Sequence, residues 1–235
     1  MPKATLFLIP TTLGDSKTTD VFPEIVREVV SKIDFYIVEN EKTARKFIKL
    51  ICPKKKQAEL TIFQLDKHDK SAFLNEFMQP LLQGKDMGLL SEAGLPAIAD
   101  PGSLVVALAH KNAIPVKPLV GPSSLLLALM ASGLNGQKFA FQGYLPKESG
   151  ELKKRLKYLE QVSLRENMAQ LFIETPYRNH KMLDSLLKYL HPNTLLTIAT
   201  DLTLPTEFVK TLPVKAWKKQ QLDLHKRPTV FIFQA

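Results

Sequence analysis

Gly88-Leu89-Leu90-Ser91-Glu92-Ala93-Gly94-Leu95-Pro96-Ala97-Ile98-Ala99-Asp100-Pro101-Gly102-Ser103 is the stretch whose reading decides the fold. An apolar strand ends at Leu90, and the following residues bring in Glu92, Asp100, two glycines and two prolines before an apolar helical pattern resumes at Leu104. Gly94 and Gly102 supply backbone freedom and close approach, while Pro96 and Pro101 fix φ and withhold a donor. In an α/β sheet, ligands are received just outside the carboxyl ends of the strands. The stretch therefore reads as a ligand loop, with a long rigid turn as the plainer alternative.

Bulk composition narrows the class. With 235 residues, 45% of them hydrophobic, the chain is long enough for one large or two ordinary globular domains. No run approaches the eighteen or so apolar residues of a membrane span, and the start leads into a strand instead of a signal peptide, so a cytoplasmic protein without a membrane partner is expected. The single Cys52 excludes an internal disulfide and a cysteine-cluster metal site, and no His pair stands at ligand spacing, so no metal is expected. Net charge is +9, from 32 Lys and Arg against 23 Asp and Glu. That balance favours a polyanion partner. The densest clusters are Lys54 to Lys56, Lys153 to Arg155 with Lys157, and the C-terminal set Lys215, Lys218, Lys219, Lys226 and Arg227; solvated faces account for such clusters equally well.

Outward from the loop, strands and helices alternate. Leu6 to Ile9 reads as a strand that breaks at Pro10-Thr11-Thr12-Leu13-Gly14-Asp15, and a helix is expected near Pro23 to Lys32. Strand Phe35 to Val38 runs into Glu39-Asn40-Glu41 and a helix from Ala44 to Ile51. A carboxylate just past a strand end can serve as a base or cap the next helix. A strand over Leu60 to Leu65, a polar bridge containing His68 and a helix over Ser71 to Gln83 precede the loop. Beyond it come a helix from Leu104 to Ala109 and a proline-flanked strand, Pro115 to Val120, suited to an edge. Ser123 and Ser124 follow a Gly-Pro turn and open the apolar Leu125 to Met130 helix, where they suit a cap, a carboxylate site or both. The second half repeats the alternation with strands at Phe139 to Gln142, Ala169 to Ile173, Leu195 to Thr200, Phe208 to Thr211 and Thr229 to Gln234. Two α/β domains, 1–120 and 121–235, are the economical reading, with a linker candidate near 143–150. Neither G-x-G-x-x-G nor G-x-x-x-x-G-K occurs at a strand end, which removes the usual support for a dinucleotide or nucleoside-triphosphate site.

These residues resemble the tetrapyrrole methylase superfamily of S-adenosylmethionine-dependent methyltransferases, and within it the bacterial branch that methylates a cytidine ribose 2′-hydroxyl in small-subunit ribosomal RNA. The branch signature S-D-A-G-T-P-x-I-S-D-P-G is matched by Ser91 to Gly102. P-G-P-S corresponds to Val120-Gly121-Pro122-Ser123, F-x-G-F-L-P to Phe141 through Pro146, Y-E-S-P-H-R to Ile173 through Arg178, and E-L-T-K to Asp201-Leu202-Thr203-Leu204. Three departures stand out: Ile9 to Asp15 in place of A-T-P-I-G-N-L, Glu39-Asn40-Glu41-Lys42 with Arg45 displaced in place of E-D-T-R, and Glu92 and Leu95 for Asp and Thr in the main loop.

The resemblance implies two α/β domains of the tetrapyrrole methylase type with the cofactor folded between them. It implies contacts, largely through main chain, from Leu13, Gly94, Leu95, Ile98, Ser123, Ser124, Glu174, Leu202 and Pro228. It also implies ribosomal RNA or the small ribosomal subunit as partner, and a homodimer. Methyl transfer from a sulfonium is an in-line displacement in which positioning does most of the work. A 2′-hydroxyl acceptor benefits from a general base, for which Asp100, Glu92 and Glu39 are the strand-end carboxylates; Asp100 equally suits bracing of its own turn. Arg178, Lys42 and Arg45 are the substrate-side candidates, and Arg178 equally suits a helix-start ion pair with Glu174. The altered Glu39 to Lys42 segment leaves open a small-molecule acceptor or another RNA, and a non-catalytic RNA-binding relative is the reading from a different class.

Overall fold

The computed structural model describes residues 4–65 and 74–235, and its contacts divide the chain into Met1–Ser123 and Ser124–Ala235. In the first unit, β1 (Leu6–Ile9), α1 (Thr18–Val21), α2 (Glu24–Lys32), β2 (Phe35–Val38), α3 (Glu41–Ile51) and β3 (Thr61–Gln64) follow in order. Next come α4 (Leu74–Phe77), α5 (Gln79–Leu82), β4 (Met87–Leu90), α6 (Ser103–Lys111) and β5 (Val116–Pro118). His68 and the start of the helix expected over Ser71 to Gln83 lie outside the described residues, and the remainder of that helix is broken at Met78 between α4 and α5.

The sheet is parallel throughout, in the order β3-β2-β4-β1-β5, so all its carboxyl ends share one edge. Its central strand β4 is buried at every position, as expected of a parallel strand covered on both faces. Gly88 sits in that strand opposite Tyr36, whose ring is fully buried and whose hydroxyl donates to Ile33 O at 2.9 Å. A Cβ on Gly88 would come within 2.7 Å of Ile9 Cδ1 and 2.8 Å of Tyr36 Cδ1. Both of these side chains are fully buried. Gly88→Ala is therefore expected to lower unfolding stability by about 1–3 kcal/mol in urea titration; an unchanged midpoint would mean the core there is loose.

The second unit holds α7 (Ser124–Ser132), β6 (Phe139–Tyr144), α8 (Ser149–Glu166), β7 (Ala169–Ile173), α9 (Asn179–Tyr189), β8 (Leu195–Thr200), β9 (Phe208–Pro213), α10 (Val214–Trp217) and β10 (Thr229–Gln234). Its sheet runs β6-β7-β10-β8-β9, with β6 parallel to β7 and the other pairs antiparallel. Phe172 stacks on Phe231 with centroids 5.5 Å apart, and the buried Trp217 donates its indole N–H to Leu196 O at 2.7 Å. The linker expected near 143–150 instead joins β6 to α8 inside this unit. Its change toward charged residues marks the start of an amphipathic helix: Leu152, Leu156 and Leu159 are buried, while Lys153, Lys154 and Lys157 face solvent.

Candidate functional site

Segments leaving the carboxyl ends of β1, β2, β4 and β5 meet on the shared edge of the first sheet. Thr11, just past β1, donates its N–H to Gly94 O at 2.9 Å, and Ser91 Oγ donates to the same carbonyl at 3.1 Å. Glu39, just past β2, accepts the Glu92 N–H at 3.2 Å. Gly94 has φ +74°, and a Cβ there would lie 3.1 Å from Leu13 Cδ2 and 3.3 Å from Pro122 O. At Gly121 a Cβ would overlap the Pro10 ring at 2.3 Å, so only glycine permits that close approach.

The second half of the main loop is held by its own acid. Ala97 and Ala99 take the left-handed region, with φ of 66° and 62°, a conformation uncommon for residues with a Cβ. Asp100 offsets it: the Ala97 N–H donates to both carboxylate oxygens at 2.9 Å, and the Gly102 N–H to Oδ1 at 2.7 Å. Burial pushes the Asp100 carboxyl above the usual range, while the Gly102 and Ala97 hydrogen bonds work against that rise. The side chain braces the turn, and what it presents outward is the exposed Ile98 and the half-buried Leu95.

In the second unit, Glu174 is buried at the end of β7. One of its oxygens accepts the Thr175 N–H at 2.7 Å, and the other lies 3.3 Å from Arg178 Nη2. Arg178 thus takes up the helix-start ion pair. Asp201 and Thr203, at the turn after β8, have φ of 54° and 71°. That turn is tied down by Arg227: Nε donates to Asp201 Oδ2 at 2.7 Å, Nη2 to Thr206 O at 2.8 Å, and Nη1 to Asp223 O at 2.9 Å. Thr206 Oγ1 also donates to Asp201 Oδ2, at 2.8 Å. Pro228 O accepts from the Asp201 N–H and from Thr200 Oγ1, both at 3.0 Å. Asn179 Nδ2 donates to Arg227 O at 2.7 Å, which links the start of α9 to the same knot.

The structure therefore brings Leu13, Glu39, Glu92, Gly94 and Asp100 onto one edge, and Glu174, Arg178, Leu202 and Pro228 onto one end of the second unit. Leu202 is buried, whereas Pro228 is exposed. Ser123 closes the first unit and Ser124 opens α7. Lys42 is exposed on α3. Arg45, expected on the substrate side, has its guanidinium engaged by Glu41 Oε1 at 2.8 Å and Gln57 O at 2.6 Å. The cap of α3 is Asn40, whose Oδ1 accepts the Thr43 N–H at 3.2 Å, which leaves Glu39 on the loop side. Arg227, which the sequence places in a C-terminal basic cluster, is an internal clamp. Its pairing with Asp201 spans 26 positions, and no local pattern announces it.

Among the described residues, no group of three or more His, Cys, Asp or Glu side chains is arranged for a metal ion, and no helix is long and apolar enough to cross a membrane. On the first unit's edge, the glycine-permitted close approaches at Gly94 and Gly121 and the turn braced by Asp100 suit a ligand held largely by main-chain groups. That donor set fits S-adenosylmethionine, whose adenine and amino-acid ends take backbone hydrogen bonds and whose cationic sulfur is stabilised by carbonyl dipoles.

No protein-family model matches the chain. It is similar to the protein named ribosomal RNA small subunit methyltransferase I of Vibrio cholerae, at 29% identity over 209 residues, covering 89% of this chain and 68% of that one. The like-named protein of Halalkalibacterium halodurans is 30% identical over 201 residues, covering 86% of this chain and 65% of the relative. That of Escherichia coli O157:H7 is 26% identical over 232 residues, covering 97% and 77%. Among solved structures, the methyltransferase CobJ superposes with a TM-score of 0.64 at 16% identity, covering 98% of this chain and 94% of that one. Uroporphyrin-III-C-methyltransferase from Thermus thermophilus gives 0.56 at 14%, covering 99% and 92%. The fold is thus that of the tetrapyrrole methyltransferases over nearly the whole chain.

Proposed function

We propose that the chain is a divergent member of the tetrapyrrole methylase superfamily, akin to the small-subunit ribosomal RNA methyltransferases it is similar to, and that it moves a methyl group from S-adenosylmethionine to a ribose 2′-hydroxyl of small-subunit ribosomal RNA. The observation that carries the proposal is the main loop itself. Ser91 to Gly102 keeps the spacing of the branch signature, and its Gly94 and Asp100 do the structural work that a backbone-lined ligand loop requires.

When bound, S-adenosylmethionine supplies an electrophilic methyl on a sulfonium sulfur. Leu13, Gly94, Leu95, Ile98, Ser123, Ser124, Glu174, Leu202 and Pro228 are the residues proposed to contact it, chiefly by main chain. Asp100 keeps the loop in shape. The Glu39 and Glu92 carboxylates, whose segments are joined through the Glu92 N–H, are the proposed candidates for taking up the hydroxyl proton, and Lys42 lies on the helix that follows. The exposed lysines of α8 add phosphate contacts, so RNA affinity falls steeply with added salt.

We also propose a homodimer through α7. Leu126 is 46% and Met130 79% exposed, one helical turn apart on a helix with no charged residue. Met130→Asp is expected to turn a dimer into a monomer by light scattering at micromolar concentration; wild type that is already monomeric would remove the assignment.

Calorimetric titration with S-adenosylmethionine tests the enzyme reading: undetectable binding by folded protein would sink it. Ribose-methylation mapping of ribosomes from a deletion strain tests the acceptor. An unchanged map alongside intact cofactor binding would move the activity to another RNA or a small molecule.

A further inference from the structure

We propose that Tyr177, framed by His225 and Lys226, is a stacking platform for a nucleobase of the RNA acceptor. The inference rests on the RNA reading above and names residues that would meet the strand. Tyr177 is 73% exposed, so core packing does not explain its ring. Its support is stiff: it lies in a single 3-10 turn, Pro176–Arg178, opened by proline and closed by the Arg178 N–H donating to Thr175 O at 2.8 Å.

The opposing wall is also held in place. Lys226 adopts φ +58°, in the left-handed region, and its ammonium lies 5.9 Å from the Tyr177 ring centroid. The His225 ring meets Tyr177 edge to face, with centroids 6.3 Å apart at 78°. Both residues belong to the Asp223 to Pro228 segment, which is fixed by the three Arg227 donors, by the His225 N–H to Asp223 Oδ1 bond at 2.9 Å, and by the fully buried Leu224. A backbone strained at a non-glycine residue, and anchored on both sides of it, thus presents a cation and an imidazole to an exposed aromatic ring. Lys181 is exposed nearby on α9, and Arg178 follows Tyr177 directly.

That chemistry suits single-stranded RNA, whose unstacked bases lie on aromatic faces while neighbouring phosphates meet cations. An acidic protein partner would use the cations alone and have no need of the ring.

The test uses fluorescence anisotropy with a short mixed-sequence single-stranded RNA and the same strand made abasic. Wild type is expected to bind the base-bearing strand more tightly. Tyr177→Ala should weaken that strand roughly tenfold or more and leave the abasic strand unchanged, while Tyr177→Phe retains wild-type binding. Lys226→Gln should weaken both strands and flatten the salt dependence. Melting temperature and S-adenosylmethionine affinity of the Tyr177 variants should match wild type. Equal loss on both strands, or no loss on either, overturns the platform. Wild type that binds S-adenosylmethionine but neither strand would remove the RNA reading, and the platform with it.

Discussion

Arg227→Ala is expected to lower the unfolding stability of the protein by about 3 kcal/mol and to weaken S-adenosylmethionine binding along with it. The variant strands Asp201, whose side chain is only 9% exposed, without its cation. It also removes the donors to Thr206 O and Asp223 O that shape the turn after β8 and the approach to Pro228. Breaking one partner of such a pair costs more than the pair contributes, because the remaining charge stays desolvated. Arg227→Lys should fall between: the charge survives, but one ammonium cannot reproduce a three-donor fan. Urea unfolding with unchanged slope measures the first effect and calorimetry the second. A loss below about 0.5 kcal/mol would mean that solvent screens the pair as at an ordinary surface.

Asp100→Ala is expected to cost about 1–3 kcal/mol and to weaken S-adenosylmethionine binding by at least roughly tenfold. It leaves the Ala97 and Gly102 N–H groups without their acceptor and frees a loop that contains two left-handed alanines. A brace and a base separate cleanly here. Loss of the brace raises the cofactor's Kd and KM with little change in kcat, whereas loss of a base lowers kcat and its pH dependence while binding persists. The structure favours the brace. Burial holds this carboxyl above its ordinary 3.8, so the fold favours the protonated form. The proton-linked part of its contribution is accordingly present at low pH and lost as pH rises through the elevated value, whereas the carboxylate keeps the bracing hydrogen bonds. Wild type should gain stability relative to Asp100→Asn as pH falls toward 3.8.

Much of this was legible in the chain, for physical reasons that differ from place to place. Strands β1, β2, β7, β8 and β10 coincide with their sequence reading because short apolar runs bounded by turn residues leave little choice of register. Helix α3 starts earlier than its apolar pattern, at Glu41, since Asn40 caps it and a cap leaves only a weak periodic trace. The ligand loop was readable from its glycines and prolines. Whether Asp100 braces or reacts was not, because both roles use the same residue at the same place, and its hydrogen bonds to the Ala97 and Gly102 N–H groups appear only in the fold. The Asp201–Arg227 clamp lay beyond reach for another reason: its partners are distant in sequence and joined only through antiparallel β8 and β10. The same is true of Tyr177 and Lys226, which only folding brings together.

Methyl transfer to RNA can be read out by incubating the protein with methyl-labelled S-adenosylmethionine and small ribosomal subunits from cells lacking the gene. The RNA is then digested to nucleosides and separated. Label is expected in a 2′-O-methylated nucleoside, depleted in reactions with Asp100→Ala. Unlabelled RNA from folded protein that binds S-adenosylmethionine would contradict it.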